Sequence, residues 1–353
     1  MAAADSYDIA AALAEFHESG GGVRHLVESC ITLVQRLFLV PDSLLPPPAA
    51  VADFATPTVD LFLPRSNTIA LIGAAARSSG FFHVTNHGVP ASTIATAISA
   101  ARAFHERSAF YSVTPVSAVA YSTNPHPQLN PPALPWRDTL SLCFLPPEPD
   151  LGSLPPTCRD ALLEYHRSLM GFGRSMTALL SEALGVGGER LEQAMQVEAR
   201  LMGSRAGLLV QDSVGGLQVR QQHCDDAGGD GDWVDVAPVT GAILINIGDV
   251  LKVCVISYNP NAVAFAGCGR VHVNPLRVVS NEEFKSVEHR VMVKSTQFVR
   301  VSIALFFNPA KCDVSDLFGP LPELVTDERP ARYQRITFPE FMNFRSVSGH
   351  GRT

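Results

Sequence analysis

The stretch Phe284–Pro309, FKSVEHRVMVKSTQFVRVSIALFFNP, decides the reading of this chain. Its pattern predicts two strands joined by the polar connection Lys294-Ser295-Thr296-Gln297. In the first strand Val287, His289, Val291 and Val293 share one face, as side chains two apart do. In the second, Val299, Val301, Ile303, Leu305 and Phe307 point one way, and Arg300, Ser302, Ala304 and Phe306 the other. One histidine and one arginine therefore stand among apolar residues on strands expected to be buried. A buried guanidinium needs an anion, because an unpaired charge in a core is very costly. Its planar fork suits a carboxylate held bidentately. Taken singly, His289 is more simply read as a satisfied core histidine and Arg300 as half of a structural salt bridge.

Upstream, the second half of the chain continues in short strands punctuated by glycine. Leu208–Val210, Val214–Val219, Asp232–Val236 and Gly241–Asp249 each carry a strand-like run. Many short strands with glycine turns indicate a jelly-roll barrel. The first half is helical. Residues 8–18, 23–40, 68–79, 93–108 (capped by Ser92), 157–184 and 189–196 have apolar residues at helical spacing. Thr58–Leu61 and Phe81–Val84 are strands between them, and residues 112–156 are Pro-rich and irregular. His83 and His87 are four apart, but on a strand entering a turn rather than on a helix. Structural roles are expected for both.

Composition narrows the function. The chain has 353 residues, 46% of them hydrophobic, enough for one large core or two modest ones. A net charge of −7 without a Lys/Arg block argues against a nucleic-acid partner. The seven cysteines are scattered, odd in number and lack a CxxC pair, which fits reduced thiols in a cytoplasmic protein. The N-terminal MAAADSYDIA does not read as a signal peptide, and no apolar run is long enough to span a bilayer.

KSVEHRV, then RVS and FFNP, resembles the C-terminal half of the site in Fe(II)/2-oxoglutarate-dependent dioxygenases. TPTVDL, GFFHVTNHGVP, WRDTL (Trp136–Leu140), VGGLQV and GAILINIGD resemble other segments of that family in the same order. YDIAAALAEFHES, GVRHLVES and WVDVAP resemble its plant branch of aminocyclopropane-carboxylate-oxidase homologues, which includes a benzoxazinoid-glucoside dioxygenase. The resemblance implies a mainly β fold with flanking helices and a double-stranded β-helix (jelly-roll) core. It implies His289 as the distal iron ligand, and Arg300 with Ser302 as the grip on the far carboxylate of 2-oxoglutarate. The cofactors implied are Fe(II), 2-oxoglutarate and O2, with ascorbate as an accessory reductant. The activity implied is oxidation, by hydroxylation, of a small plant metabolite in the cytoplasm, with no catalytic residue beyond the metal centre. The corresponding division is a helical extension over 1–50, an N-terminal dioxygenase region over 51–156, flanking helices over 157–198, the jelly-roll core over 199–310 and a C-terminal segment over 311–353.

Two breaks interrupt the resemblance. The family takes its first histidine and its carboxylate from an H-x-D motif on a strand ahead of the VGGLQV hairpin. In this chain residues 198–212, EARLMGSRAGLLVQD, run directly past that place without the motif. The one H-x-D in the chain, His223-Cys224-Asp225, follows VGGLQV in a glycine-rich stretch. A hairpin tip is the wrong place for a preorganised, dry metal site, so His223 and Asp225 are not assigned as ligands. The second break is residues 253–277, VCVISYNPNAVAFAGCGRVHVNPLR, which match nothing in the family. Either they are translated intron sequence, paired with a skipped block upstream, or they are a diverged loop. His272 within them is expected at the surface. The jelly roll is accordingly expected to be incomplete and the chain as written weak or inactive. The alternative is a non-catalytic jelly-roll protein that binds a small acid or a partner. A zinc hydrolase is disfavoured by the lack of HExxH and of a third ligand at suitable spacing.

Overall fold

Glycine, proline and the change from helical to alternating apolar spacing divide the chain into elements much as the sequence suggests. The structure, a computed structural model, describes residues 8–19, 22–28, 36–38, 55–107, 119–123, 137–142, 144, 150–152, 154–195, 207–211, 213–221, 232–247, 254–257, 265–269, 275–287, 289–292, 300–306, 317–337 and 340. In order these form α1 (Ile9–Glu18), α2 (Gly22–Glu28), β1 (Thr58–Asp60), α3 (Arg65–Ser78), β2 (Phe81–Thr85), α4 (Ala91–Arg107), β3 (Val119–Ser122) and β4 (Thr139–Leu142). There follow α5 (Pro156–Ala183), α6 (Arg190–Met195), β5 (Gly207–Gln211), β6 (Leu217–Gln221), β7 (Asp232–Asp235) and β8 (Ile243–Asn246). The last elements are β9 (Cys254–Ser257), β10 (Phe265–Gly269), α7 (Pro275–Val279), β11 (His289–Met292), β12 (Arg300–Phe306), β13 (Leu317–Phe318) and β14 (Ile336–Thr337).

The strands of the second half, joined by β1 and β2 from the first, make two main sheets, one of six strands in the order β1-β2-β8-β5-β12-β9 and one of four in the order β10-β11-β6-β7. Alternation along each strand of the larger sheet separates two cores. Val301, Ile303 and Leu305 of β12, Ile243 and Ile245 of β8, and Phe82 and Val84 of β2 join one large cluster. In it they meet α5 through Leu162, Leu169, Met176 and Leu180. On the other face of that sheet Phe81 and Leu244 pack with Leu217, Val219, Val234, Val236 and Val291 of the smaller sheet. This second cluster fills the interior between the sheets. The alternation expected for the two decisive strands holds where they are described: Val287 and Val291 meet the inner cluster, Val301, Ile303 and Leu305 the outer one.

Several boundaries differ from expectation. α3 begins at Arg65 rather than 68, directly after Pro64, whose φ of −49° and ψ of 137° suit a helix entrance. α4 begins at Ala91, so Ser92 lies inside the helix and does not cap it. Of the helix expected over 23–40, the described residues carry α2 as far as Glu28 and a 3-10 turn at Arg36–Phe38, and residues 29–35 lie outside them. The stretch 112–156 is not wholly irregular: β3 and β4 pair antiparallel, with Ser122 opposite Thr139 and Val119 opposite Leu142. The loop reading of 253–277 also fails, because β9 and β10 both come from it. β9 pairs with β12, placing Ser257 opposite Arg300, and β10 pairs with β11, placing Gly269 opposite His289. Without them, the strands carrying His289 and Arg300 would each be an open edge. The connection 294–297, His223, Asp225 and His272 lie outside the described residues.

Candidate functional site

The site is built on β11 and β12. Arg300 and Ser302 are two apart on β12, on the face opposite Val301 and Ile303, so both turn to the barrel interior. Arg300 is 4% exposed and Ser302 1%. Arg300 Nη1 donates to Ser302 Oγ at 3.0 Å, which fixes the guanidinium along the strand. His289 begins β11 and is buried, with its ring 5.4 Å from that of Phe81 at a tilt of 60°. Its Nδ1 lies 3.5 Å from the carbonyl oxygen of Val287. The alternation that places Phe81 inside the barrel places His83 there as well, and register puts Phe81 opposite Asn246 and His83 opposite Leu244. His83 Nδ1 and Asn246 Oδ1 are buried with no hydrogen-bond partner among the described residues. Burial holds His83 below its usual pKa and favours the neutral imidazole.

His87 has the structural role expected of it. One ring nitrogen lies 3.0 Å from Gly241 O and the other accepts the Val89 amide at 3.1 Å, so the ring ties the turn after β2 to the turn before β8.

Two further groups were not singled out from the sequence. On the face of the smaller sheet away from His289, Arg290 lies 4.2 Å from the Trp233 ring centre and donates from Nε to Gln218 Oε1 at 2.7 Å. Gln218 Nε2 donates in turn to Asp235 Oδ1 at 2.8 Å. Register brings them together: Gln218 stands opposite both Arg290 and Asp235. The second group is Arg137, 8% exposed, just ahead of β4. Burial, and then the neighbouring charge of Arg300, pushes its pKa down to about 10. WRDTL carried a signal for it: Arg137 and Thr139 alternate with Asp138 and Leu140, so one face of the strand is polar and buried.

Among the described residues the donor set for a metal is smaller than the resemblance implies. No group of three or more His, Cys, Asp or Glu side chains able to hold a metal ion occurs among the described residues. β10, the strand beside His289, presents Gly269 directly across from it.

Comparison with known proteins bears on the whole chain. Residues 51–152 match the model of the N-terminal region of the non-haem dioxygenases in morphine synthesis, and residues 189–309 match that of the 2OG-Fe(II) oxygenase superfamily. The 1-aminocyclopropane-1-carboxylate oxidase homolog 1 of Arabidopsis thaliana is 31% identical over 372 residues, covering 96% of this chain and 92% of the relative. Homolog 4 from the same plant is 32% identical, covering 96% and 94%. The chain belongs to the 2-oxoglutarate- and Fe(II)-dependent oxygenase family. The family's cofactors are iron(II) and 2-oxoglutarate, with O2 as co-substrate, and its fold is a double-stranded β-helix with flanking helices. The crystal structure of JOX2 in complex with 2OG, Fe and JA superposes with a TM-score of 0.70 at 26% identity, covering 94% of this chain and 98% of that one. The crystal structure of the dioxygenase for auxin oxidation in rice shares the fold, with a TM-score of 0.61 at 22% identity and coverage of 84% and 96%. Among the described residues no helix is long and apolar enough to cross a membrane.

A facial iron triad needs two histidines and a carboxylate, and no such set occurs among the described residues. The described residues therefore do not make a complete iron site.

Proposed function

We propose that the chain binds 2-oxoglutarate by its far carboxylate through Arg300 and Ser302, with His289 as a lone metal ligand, and that it oxidises a substrate weakly or not at all. The observation that carries this is Arg300 itself. It is a guanidinium buried in the barrel interior and braced on Ser302. Such a charge is retained where an anion is to be bound. The unpartnered polar atoms of His83 and Asn246 support the same reading, since buried polar groups call for partners and a polar occupant would supply them. In the tautomer whose Nδ1 faces the Val287 carbonyl, His289 offers Nε2 as the lone-pair donor.

Iron, where the family holds it, supplies the activation of oxygen. One imidazole is a poor cage for it, and losing ligands from a triad lowers affinity by orders of magnitude. The lineage is that of an enzyme hydroxylating a small plant metabolite, and the chain keeps the cosubstrate half of that site. The test is calorimetric titration of the purified chain with 2-oxoglutarate, with and without Fe(II), alongside an assay for succinate. Binding without matching turnover supports the reading. Rapid succinate release would overturn it and return His223 and Asp225 to consideration as ligands.

A second reading follows from Gly269 opposite His289: a non-catalytic jelly roll whose ligand is a small acid, bound without metal. Its mark would be an affinity that depends on Arg300 and is indifferent to Fe(II).

A further inference from the structure

The first amides of α2 need an acceptor, and Gly20-Gly21-Gly22 have no side chain to offer one. The acceptor comes from 115 residues further along the chain. Asp138, buried just ahead of β4, takes the Val23 amide on Oδ1 at 3.0 Å and the Arg24 amide on Oδ2 at 3.1 Å. Its Oδ1 also accepts the hydroxyl of Thr123, the residue after β3, at 2.6 Å. One carboxylate thus joins the start of α2 to both strands of the β3–β4 hairpin. Gly22 permits the approach. It has a φ of +63°, and a Cβ there would lie 2.6 Å from Asp138 Oδ1. A second tie runs the other way. Arg24 Nη1 donates to the carbonyl oxygen of His105, in the last turn of α4, where helix carbonyls lack partners and a cation is favoured.

The helices held in this way have apolar packing of their own. Phe16, Val23, Leu26, Leu37 and Phe38 are buried but belong to neither the outer nor the inner cluster. Phe16 meets Phe38 edge-on, with ring centres 5.3 Å apart. The hairpin, in contrast, sends Val119, Tyr121 and Leu140 into the outer cluster. On its far side β4 lies against β9, the end strand of the six-stranded sheet. An end strand carries an unpaired row of backbone groups, and a covering segment keeps other chains off it.

We propose that α1 and α2 are a strap, fastened through Asp138, that clamps the β3–β4 hairpin over the β9 edge of the barrel. The coupling is physical. Lifting α2 takes two donors from a carboxylate that stays buried, and a buried charge short of donors is costly. The hairpin therefore loosens with the strap, and β9 with the hairpin. This device is independent of the reading of Arg300 and Ser302.

The test is amide hydrogen exchange of the full chain, read by mass spectrometry for the parent, D138N and G22A. D138N keeps the shape but turns one acceptor into an amide N–H that faces a donor. G22A pushes α2 away from the strap side and leaves the hairpin sequence intact. Both are expected to speed exchange about tenfold over residues 9–28 and about threefold over 119–122, 139–142 and 254–257, with α5 and β8 unchanged. If D138N also speeds exchange in α5 and β8, it has damaged the core, and G22A alone decides. If G22A speeds exchange over 9–28 while the hairpin and β9 stay at the parent rate, the helices are passengers and the inference fails. If G22A leaves 9–28 at the parent rate, the fastening at Asp138 does not hold the strap, and the inference fails as well.

Discussion

Gly269 stands directly across the β10–β11 ladder from His289. Directly opposed residues in an antiparallel pair have Cβ atoms roughly 4.5–5.5 Å apart, close enough for two side chains to share an ion. A glycine there brings no donor. The chain is therefore expected to bind Mn(II), as a stand-in for Fe(II), no tighter than high micromolar, and H289A to change that little. Isothermal titration measures it. A tight site abolished by H289A would mean that donors outside the described residues complete the triad.

Removing the unmatched insert is expected to harm the protein rather than repair it. β9 and β10 cover the edges of β12 and β11, and an open, apolar edge invites pairing between chains. A variant lacking residues 253–274 is expected to lose most of its soluble monomer, as read by size-exclusion chromatography. A monomer melting close to the parent would show that these strands are dispensable.

Among the described glycines, Gly80 makes the closest approach to a neighbouring backbone. It has a φ of +66°, and a Cβ there would collide with the backbone carbonyl of Lys285. The same junction is tied by Lys285 N to Ala76 O at 2.8 Å and Ile247 N to Gly80 O at 2.7 Å. It fixes the start of β2 against the segment leading into β11. Gly80→Ala combines a left-handed backbone with a rigid neighbour and is expected to cost roughly 2–4 kcal/mol, measured by denaturant unfolding. A cost below about 0.5 kcal/mol, the range of a neutral surface change, would contradict the packing described.

The turn after α7 gives the fold an acid-sensitive clasp. Glu282 receives the Tyr333 hydroxyl at 2.7 Å, Arg277 at 2.7 Å and Arg332 at 2.6 Å. The Tyr333 hydrogen bond foremost, with the two arginines, holds its pKa down at about 2. A carboxylate depressed in the folded state stabilises it above the unfolded pKa, near 4.5, and loses that contribution as pH falls toward about 2. The group is partly exposed, so solvent screening limits the effect to about 1 kcal/mol or less. Glu282→Gln is expected to flatten the stability curve between those two pH values and to lower stability slightly at neutral pH. An unchanged acid limb in thermal melts across that range would contradict this.

The burial and facing of His289 and Arg300 could be read before the structure because both follow strict alternation. His289 and Arg300 stand on strands whose partners, Val291 and Val301, are unambiguous core residues, and the R-x-S spacing falls on one face of β12. The β3–β4 hairpin was harder to see. Each of its strands is four residues long, embedded in proline-rich sequence, and its alternation is of Arg137 and Thr139 against Asp138 and Leu140. Both faces are buried, so polarity does not separate inside from outside. β9 and β10 were missed because CVIS and FAGCG are too short for periodicity to decide, and their stability comes from partners distant in sequence. Helix starts moved because proline, not Ser92 or another side-chain cap, sets the entrance to α3 and precedes α4.

Arg300 and Ser302 are proposed to grip 2-oxoglutarate in a barrel whose described residues lack a complete iron site. The measurement that tests it most directly is calorimetric titration of 2-oxoglutarate into the parent and Arg300→Met chains, each with and without Mn(II). Binding by the parent is expected to change less than tenfold with metal, and the variant is expected not to bind. Binding by the parent that requires Mn(II), or binding by Arg300→Met equal to the parent, would contradict it.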